Sequence, residues 1–171
     1  QGRRTDQATM VSADFNGDGY ADLAVGAPES DLKRPQGGAV FIYLGSMNGL
    51  SDHPDYTLYG DSDTAQLGAV LAAGDLDGDG KADLAISEPG ADVTISDSGA
   101  VLLYAFTADG PQLMRPALTG LGRGNYGAAL AVADIDNDGD NDLLVGSPGA
   151  DLTGGSFNTR GVVDLYLLQR G

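Results

Sequence analysis

Cysteine and tryptophan are both missing from these 171 residues, and histidine occurs once, at His53. Without cysteine the chain has neither a disulfide framework nor a thiol nucleophile. His53 lies between Asp52 and Pro54 in a loop-like stretch, which reads as a solvated side chain rather than a general base. Ser87, Ser96 and Ser98 have no histidine near them in sequence, so no catalytic constellation is visible and the chain reads as a non-enzyme. Basic residues are few: nine Lys and Arg stand against 25 Asp and Glu, a net charge of −16. That balance argues against nucleic acid or an anionic membrane as partner. No apolar run approaches the roughly 18 residues of a membrane-spanning helix, so membrane insertion is not expected.

What is abundant is glycine, with 27 residues, and a nine-residue motif that occurs three times. It reads DFNGDGYAD from Asp14, DLDGDGKAD from Asp75 and DIDNDGDND from Asp134. Each copy sets oxygen-bearing side chains at positions 1, 3, 5 and 9 and Gly at position 6. Alternating Asp and Asn oxygens around a glycine turn suit a hard divalent cation, with Ca²⁺ the usual guest. The expected donors are Asp14, Asn16, Asp18 and Asp22; Asp75, Asp77, Asp79 and Asp83; and Asp134, Asp136, Asp138 and Asp142. At position 7, Tyr20, Lys81 and Asp140 are expected to give a backbone carbonyl. About three Ca²⁺ follow, one per repeat. The loops hold 12 of the 25 acidic residues, a density of like charge that a cation would offset. Acidic Ca²⁺ loops also favour an extracellular or cell-surface setting. The first loop, with Asn16 in place of a carboxylate, is expected to bind most weakly.

The copies start 61 and then 59 residues apart, a period that marks a repeat architecture. One domain over residues 1–171 is expected, with repeats at about 6–60, 61–120 and 121–171. Each repeat has a short Ala/Val segment before the loop, an apolar run after it (LAVGAP, LAISEP, LLVGSP), a Gly-rich loop, and then a third run: GAVFIYLG from Gly38, GAVLLYAF from Gly99, GVVDLYLL from Gly161. Weaker fourth segments lie near 54–59 and 112–118. Val40 to Leu44 and Val101 to Phe106 are apolar on both strand faces, so both faces must be covered. Small four-stranded sheets stacked face to face do this, which gives an all-β fold of β-propeller blades. Three blades do not close a ring, so a partial propeller is expected, or a homodimer that completes one.

An EF-hand loop shares the D-x-[DN]-x-[DN]-G opening but needs Glu at position 12, where this chain has Val25, Ile86 and Val145. Pro28, Pro89 and Pro148 follow closely and would disrupt an exiting helix.

These residues resemble the FG-GAP repeat of integrin α-subunit propellers. GAP stands as Gly26-Ala27-Pro28, with Gly146-Ser147-Pro148 and Ser87-Glu88-Pro89 as variants, and FG as Leu67-Gly68 and Tyr126-Gly127. The first repeat departs, with Asp6-Gln7, as terminal repeats do. The resemblance implies four-stranded blades, a structural Ca²⁺ loop between the first and second strands of each, and a role in adhesion or protein recognition. It also implies a ligand face opposite the Ca²⁺ loops, formed here by residues 29–37, 60–66, 91–98, 120–125 and 150–160, where Lys33, Arg34, Arg123 and Arg160 fall. The ligand would be a protein or a glycan. Two other roles compete with adhesion. One is a propeller segment of a larger secreted enzyme, of phospholipase or polysaccharide lyase type. The other is a carbohydrate-binding module, with Tyr20, Tyr56, Tyr59 and Tyr126 as aromatic platforms.

Overall fold

The computed structural model describes residues 8–93, 98–120, 124–150 and 161–168. They form three antiparallel sheets, each built from consecutive strands. The first holds β1 (Thr9–Ala13), β2 (Asp22–Ala27), β3 (Ala39–Tyr43) and β4 (Tyr56–Tyr59) in that order. The second holds β5 (Leu71–Gly74), β6 (Asp83–Glu88), β7 (Ala100–Thr107) and β8 (Gly110–Leu113), with β9 (Leu118–Thr119) also paired to β7. The third holds β10 (Ala129–Ala133), β11 (Asp142–Ser147) and β12 (Val162–Tyr166). The segment before each acidic loop is therefore a strand, which excludes the helix of an EF-hand. No helix among the described residues is long and apolar enough to cross a membrane.

Each sheet is a blade, and the blades stack in chain order, with β5 packed between β1 and β10. One core lies between the first two blades: Phe15, Ala24, Val40 and Ile42 meet Leu67, Leu84, Ile86 and Phe106. A second lies between blades two and three, where Ala72, Ala85, Val101 and Leu103 meet Tyr126, Leu143, Val145 and Leu168. The FG position is explained by this packing, because Leu67 and Tyr126 are buried plugs, one in each core. Tyr126 also shares a 2.5 Å hydroxyl–hydroxyl hydrogen bond with Tyr166. Its burial corrects the expectation of an aromatic sugar platform at this position. Tyr20 and Tyr59 are exposed, and Tyr56 is partly covered.

The GAP glycine has a packing reason. A Cβ on Gly26 would sit 2.1 Å from the Gly68 carbonyl oxygen, so the chain entering blade two approaches blade one as closely as backbone allows. Thr9 Oγ1 donates to the same carbonyl at 2.7 Å.

The fourth strand of blade two differs from the single segment expected near 112–118. It is split into β8 and β9, which pair with opposite ends of β7. Pro116 lies in the break, and a proline cannot donate to the ladder, so it belongs at an interruption of an edge strand. Residues 151–160, which include Arg160 and nearly all of the expected third top loop, lie outside the described residues, as do Ser96 and Arg123.

Candidate metal centres

The three acidic loops join β1 to β2, β5 to β6 and β10 to β11, so they gather at one end of the blade stack. Their backbone is shaped by the same residues that carry the charge. Position 1 accepts from position 6: Gly19 N–H to Asp14 at 2.8 Å, Gly80 to Asp75 at 3.0 Å, and Gly139 to Asp134 at 3.1 Å. Position 3 accepts from position 5, and position 5 from position 7, in every loop. Such side-chain-to-backbone turns are what Asp and Asn favour. Position 6 adopts φ of +86°, +88° and +97°, which only glycine takes without strain.

In the second loop, one carboxylate oxygen each from Asp75, Asp77 and Asp83 lies within 4.8 Å of the others; in the third, Asp134, Asp136 and Asp138 do the same. Ligand oxygens around one Ca²⁺ sit about 2.3–2.6 Å from the ion, so about 5 Å from each other at most. The donor sets of these two loops therefore fit a hard cation. The first loop gathers no comparable trio of carboxylates among the described residues. Position 3, which supplies a carboxylate to both of those trios, is Asn16 here, and its amide donates to Asp18 Oδ2 at 3.1 Å. Asp79 is drawn aside by Lys81, whose Nζ donates to it at 2.8 Å, and this bond holds the Asp79 carboxyl below its ordinary pKa.

Position 9 differs from the other donors in being buried. Asp22, Asp83 and Asp142 are each at most 1 % exposed. Each accepts the position 2 N–H, from Phe15 at 2.8 Å, Leu76 at 2.7 Å and Ile135 at 2.9 Å. In blades one and three the second oxygen accepts from beyond the third strand, from Gly45 at 2.7 Å and Leu168 at 3.1 Å. Position 9 thus ties the loop to the blade as well as facing its acidic neighbours. Burial pushes the Asp83 carboxyl up to about 7; the Leu76 N–H pulls it down, and Asp77, Asp79 and Asp75 add repulsion. A cation is the natural relief for that repulsion.

Two further features escape a reading by spacing. Ala82 N–H donates to the Asp14 carbonyl at 3.0 Å, and the Lys81 stem lies against Gly17, so loops one and two are braced against each other. The other feature is Glu88, the middle residue of the SEP variant, which is 9 % exposed at the end of β6. Its side of β6 is that of Leu84 and Ile86, which face blade one. Burial first, then repulsion from Asp61, pushes its carboxyl up to about 7 from 4.5. A folded-state pKa above the unfolded one means that the folded chain holds a proton the unfolded chain releases. Stability is therefore lost as pH rises from about 4.5 through 7. Glu88→Gln should remove that loss, up to about 3 kcal/mol at pH 8. Paired urea denaturations in saturating cation should show the variant more stable at pH 8 and the difference closing by pH 4.5. A constant difference across that range would refute the assignment.

His53 is exposed against Asp52, and among the described residues no nucleophile is shown hydrogen-bonded to it. Lys33 pairs with Asp61 at 2.8 Å in the loops at the opposite end of blade one.

The family model for the FG-GAP repeat matches residues 8–43, 67–104 and 126–166, and that for the FG-GAP-like repeat matches 91–145. The chain is 45 % identical to the phosphatidylinositol-glycan-specific phospholipase D of Bos taurus over 169 residues, 92 % of this chain and 20 % of that protein. It is 34 % identical to integrin alpha-4 of Xenopus laevis over 148 residues, 82 % of this chain and 14 % of the integrin. It spans a fifth or less of the length of these curated relatives. Three matched repeats that coincide with three blades, each carrying its acidic loop between its first two strands, place the chain in the FG-GAP repeat family as a β-propeller module.

Proposed function

We propose that this chain is a Ca²⁺-stabilised recognition module of integrin α type, displayed outside the cell or at its surface. The observation that carries the reading is the close grouping of Asp75, Asp77 and Asp83, and of Asp134, Asp136 and Asp138. Asp14, Asn16, Asp18 and Asp22 would hold a third ion, and the carbonyls of Tyr20, Lys81 and Asp140 would complete the sets. The ion supplies positive charge that locks acidic loops to their blades; it has no chemical step to perform. A protein or glycan ligand would meet the opposite end, where residues 29–37 and 60–66 present Lys33, Arg34, Asp61 and Asp63.

Titration calorimetry with CaCl₂ tests the metal reading. Three sites are expected, with the first loop weakest, and Asp77→Ala or Asp136→Ala should each delete one tighter site. At free Ca²⁺ tenfold above Kd, each site adds about 1.4 kcal/mol to stability. No heat, or a tightest site lost on Asp14→Ala, would count against it. Recognition is tested by surface binding to arrayed matrix proteins and glycans in Ca²⁺; a ligand lost with Lys33→Ala and Arg34→Ala supports it.

A second reading rests on the similarity to phosphatidylinositol-glycan-specific phospholipase D. The module would then serve as the propeller of a secreted phospholipase, with catalysis carried outside these 171 residues. An adjoining hydrolase domain in the parent gene would favour that role, and further FG-GAP repeats the first.

A further inference from the structure

Acidic loops one and two share a peptide unit. The link between Lys81 and Ala82 is trans, so its C=O and N–H lie in one plane and point in opposite directions. Its N–H, from Ala82, donates to the backbone carbonyl of Asp14 at 3.0 Å. Its C=O, from Lys81, is the position 7 carbonyl of loop two. Asp14 is position 1 of loop one, and Asp83, the buried position 9 donor of loop two, directly follows Ala82. One rigid plane thus joins the first donor of one loop to the last two donors of the next. Ala82 packs against the core between blades one and two, which partly shields the bond from water.

The Lys81 side chain is a second strut. A Cβ on Gly17 would meet its Cγ at 3.1 Å and its Cδ at 3.2 Å, so the stem lies across position 4 of loop one. Its Nζ donates to Asp79 at 2.8 Å and to the Phe106 carbonyl at 3.4 Å, and Phe106 stacks on Phe15 of loop one. The junction of loops two and three is built differently. Position 8 there is Asn141, whose Nδ2 would lie 3.2 Å from a Cβ on Gly74. Among the described residues no backbone hydrogen bond joins loop three to loop two.

We infer that cation sites one and two are coupled through the Lys81–Ala82 peptide, so that a cation in loop two prepares loop one, while site three loads on its own. This coupling rests on the cation reading of the loops and goes beyond it, since three sites set only by their own spacing would fill independently. A cation drawing on the Lys81 carbonyl polarises the peptide, and hydrogen bonds in a chain strengthen one another in this way. The Ala82 N–H then holds Asp14 more firmly. Loop one, with Asn16 at position 3, has the poorest donor set and gains most from a fixed position 1. Charge alone predicts the opposite sign. Asp77→Ala removes one negative charge but also the two positive charges of the lost cation, so it leaves loop two more negative than the filled wild-type loop, and simple Coulomb attraction would tighten site one.

Titration of the intact chain with CaCl₂, followed by ¹H–¹⁵N NMR, tests this loop by loop. The amides of Gly19, Gly80 and Gly139 each donate to position 1 of their own loop and so report its filling. Asp77 is exposed, and Asp77→Ala should disable loop two with the blades intact. The expected result is a Gly19 midpoint raised at least about fivefold, with Gly139 within about twofold of wild type. Loop three is the control, because it also adjoins loop two and feels the same change of charge. Hydrogen exchange of the Ala82 amide should slow on adding CaCl₂ in wild type and not in Asp77→Ala. A Gly19 midpoint unchanged or lowered would overturn the coupling and leave the cation reading standing. Equal shifts at Gly19 and Gly139, or an Ala82 amide indifferent to CaCl₂, would overturn the shared peptide as the route. Glycine amides that do not move at all with CaCl₂ would overturn the cation reading, and the coupling with it.

Discussion

Asp22→Ala is expected to cost about 2–5 kcal/mol of folding stability even with every divalent cation chelated. The reason is the company this carboxylate keeps. It is fully buried, and its two oxygens accept the N–H groups of Phe15 and Gly45. Alanine leaves both donors buried without a partner, and each such group costs about 1–3 kcal/mol. Burial also raises the Asp22 carboxyl above its ordinary pKa. Desolvation therefore offsets part of the gain, and the lower end of the range is expected in chelator. Asp22→Asn keeps one acceptor oxygen and should fall between. The control is Asp18→Ala in the same loop. Asp18 is exposed and, among the described residues, accepts from Tyr20 and Asn16, so water replaces it, and its loss should stay within about 0.5 kcal/mol in chelator. In Ca²⁺ both variants should lose the cation increment. Urea denaturation in EDTA and in CaCl₂ separates the two effects. Asp22→Ala matching wild type in EDTA would sink the claim that position 9 anchors the blade.

That double role marks the limit of what spacing reveals. The Asp/Gly pattern identifies the three loops because turn geometry is local: Asp at positions 1, 3 and 5 hydrogen-bonds backbone two to five residues away. The strands are legible for a similar reason, since Val40–Leu44 and Val101–Phe106 are apolar on consecutive positions and only a doubly covered strand tolerates that. Position 9 looks in sequence like a fourth equivalent donor. Its difference comes from Gly45 and Leu168, 23 and 26 residues further on, and no local pattern encodes that distance. Glu88 is a sharper case. Its counterparts, Ala27 and Ser147, are small, so the SEP variant reads as surface drift until the stacking of blade two on blade one buries it. The split of the fourth strand into β8 and β9 carried a visible signal in Pro116, which deserved a boundary in the segment 112–118.

The repeat also explains why function and stability are hard to separate here. Loop one is tied to loop two through Ala82 and Lys81, and position 2 of loops one and two, Phe15 and Leu76, plugs the core between its blade and the next. An ion held at one end of the stack therefore acts on interblade packing, whose other margin carries the candidate recognition loops.

Phe15→Ala should expose that coupling with the largest single loss of packing, about 3–5 kcal/mol. Phe15 is fully buried and stacks on Phe106 of the neighbouring blade, ring centroids 4.7 Å apart and planes 17° from parallel. A double-mutant cycle with Phe106→Ala should return a coupling of about 0.5–1.5 kcal/mol beyond the area lost. The backbone N–H of residue 15 that donates to Asp22 survives the substitution but loses the ring that anchors it, so if the loop backbone shifts into the cavity, calorimetry should show Ca²⁺ weakened at loop one while loops two and three keep their affinity. The decisive contrast is Ile135→Ala, the same loop position in blade three. Ile135 is 48 % exposed, so in a single chain its truncation should cost well under 1 kcal/mol. If the side chain at position 2 acted only by shaping its own loop, the two substitutions would cost the same. A large gap between them assigns the energy to the adjoining blade.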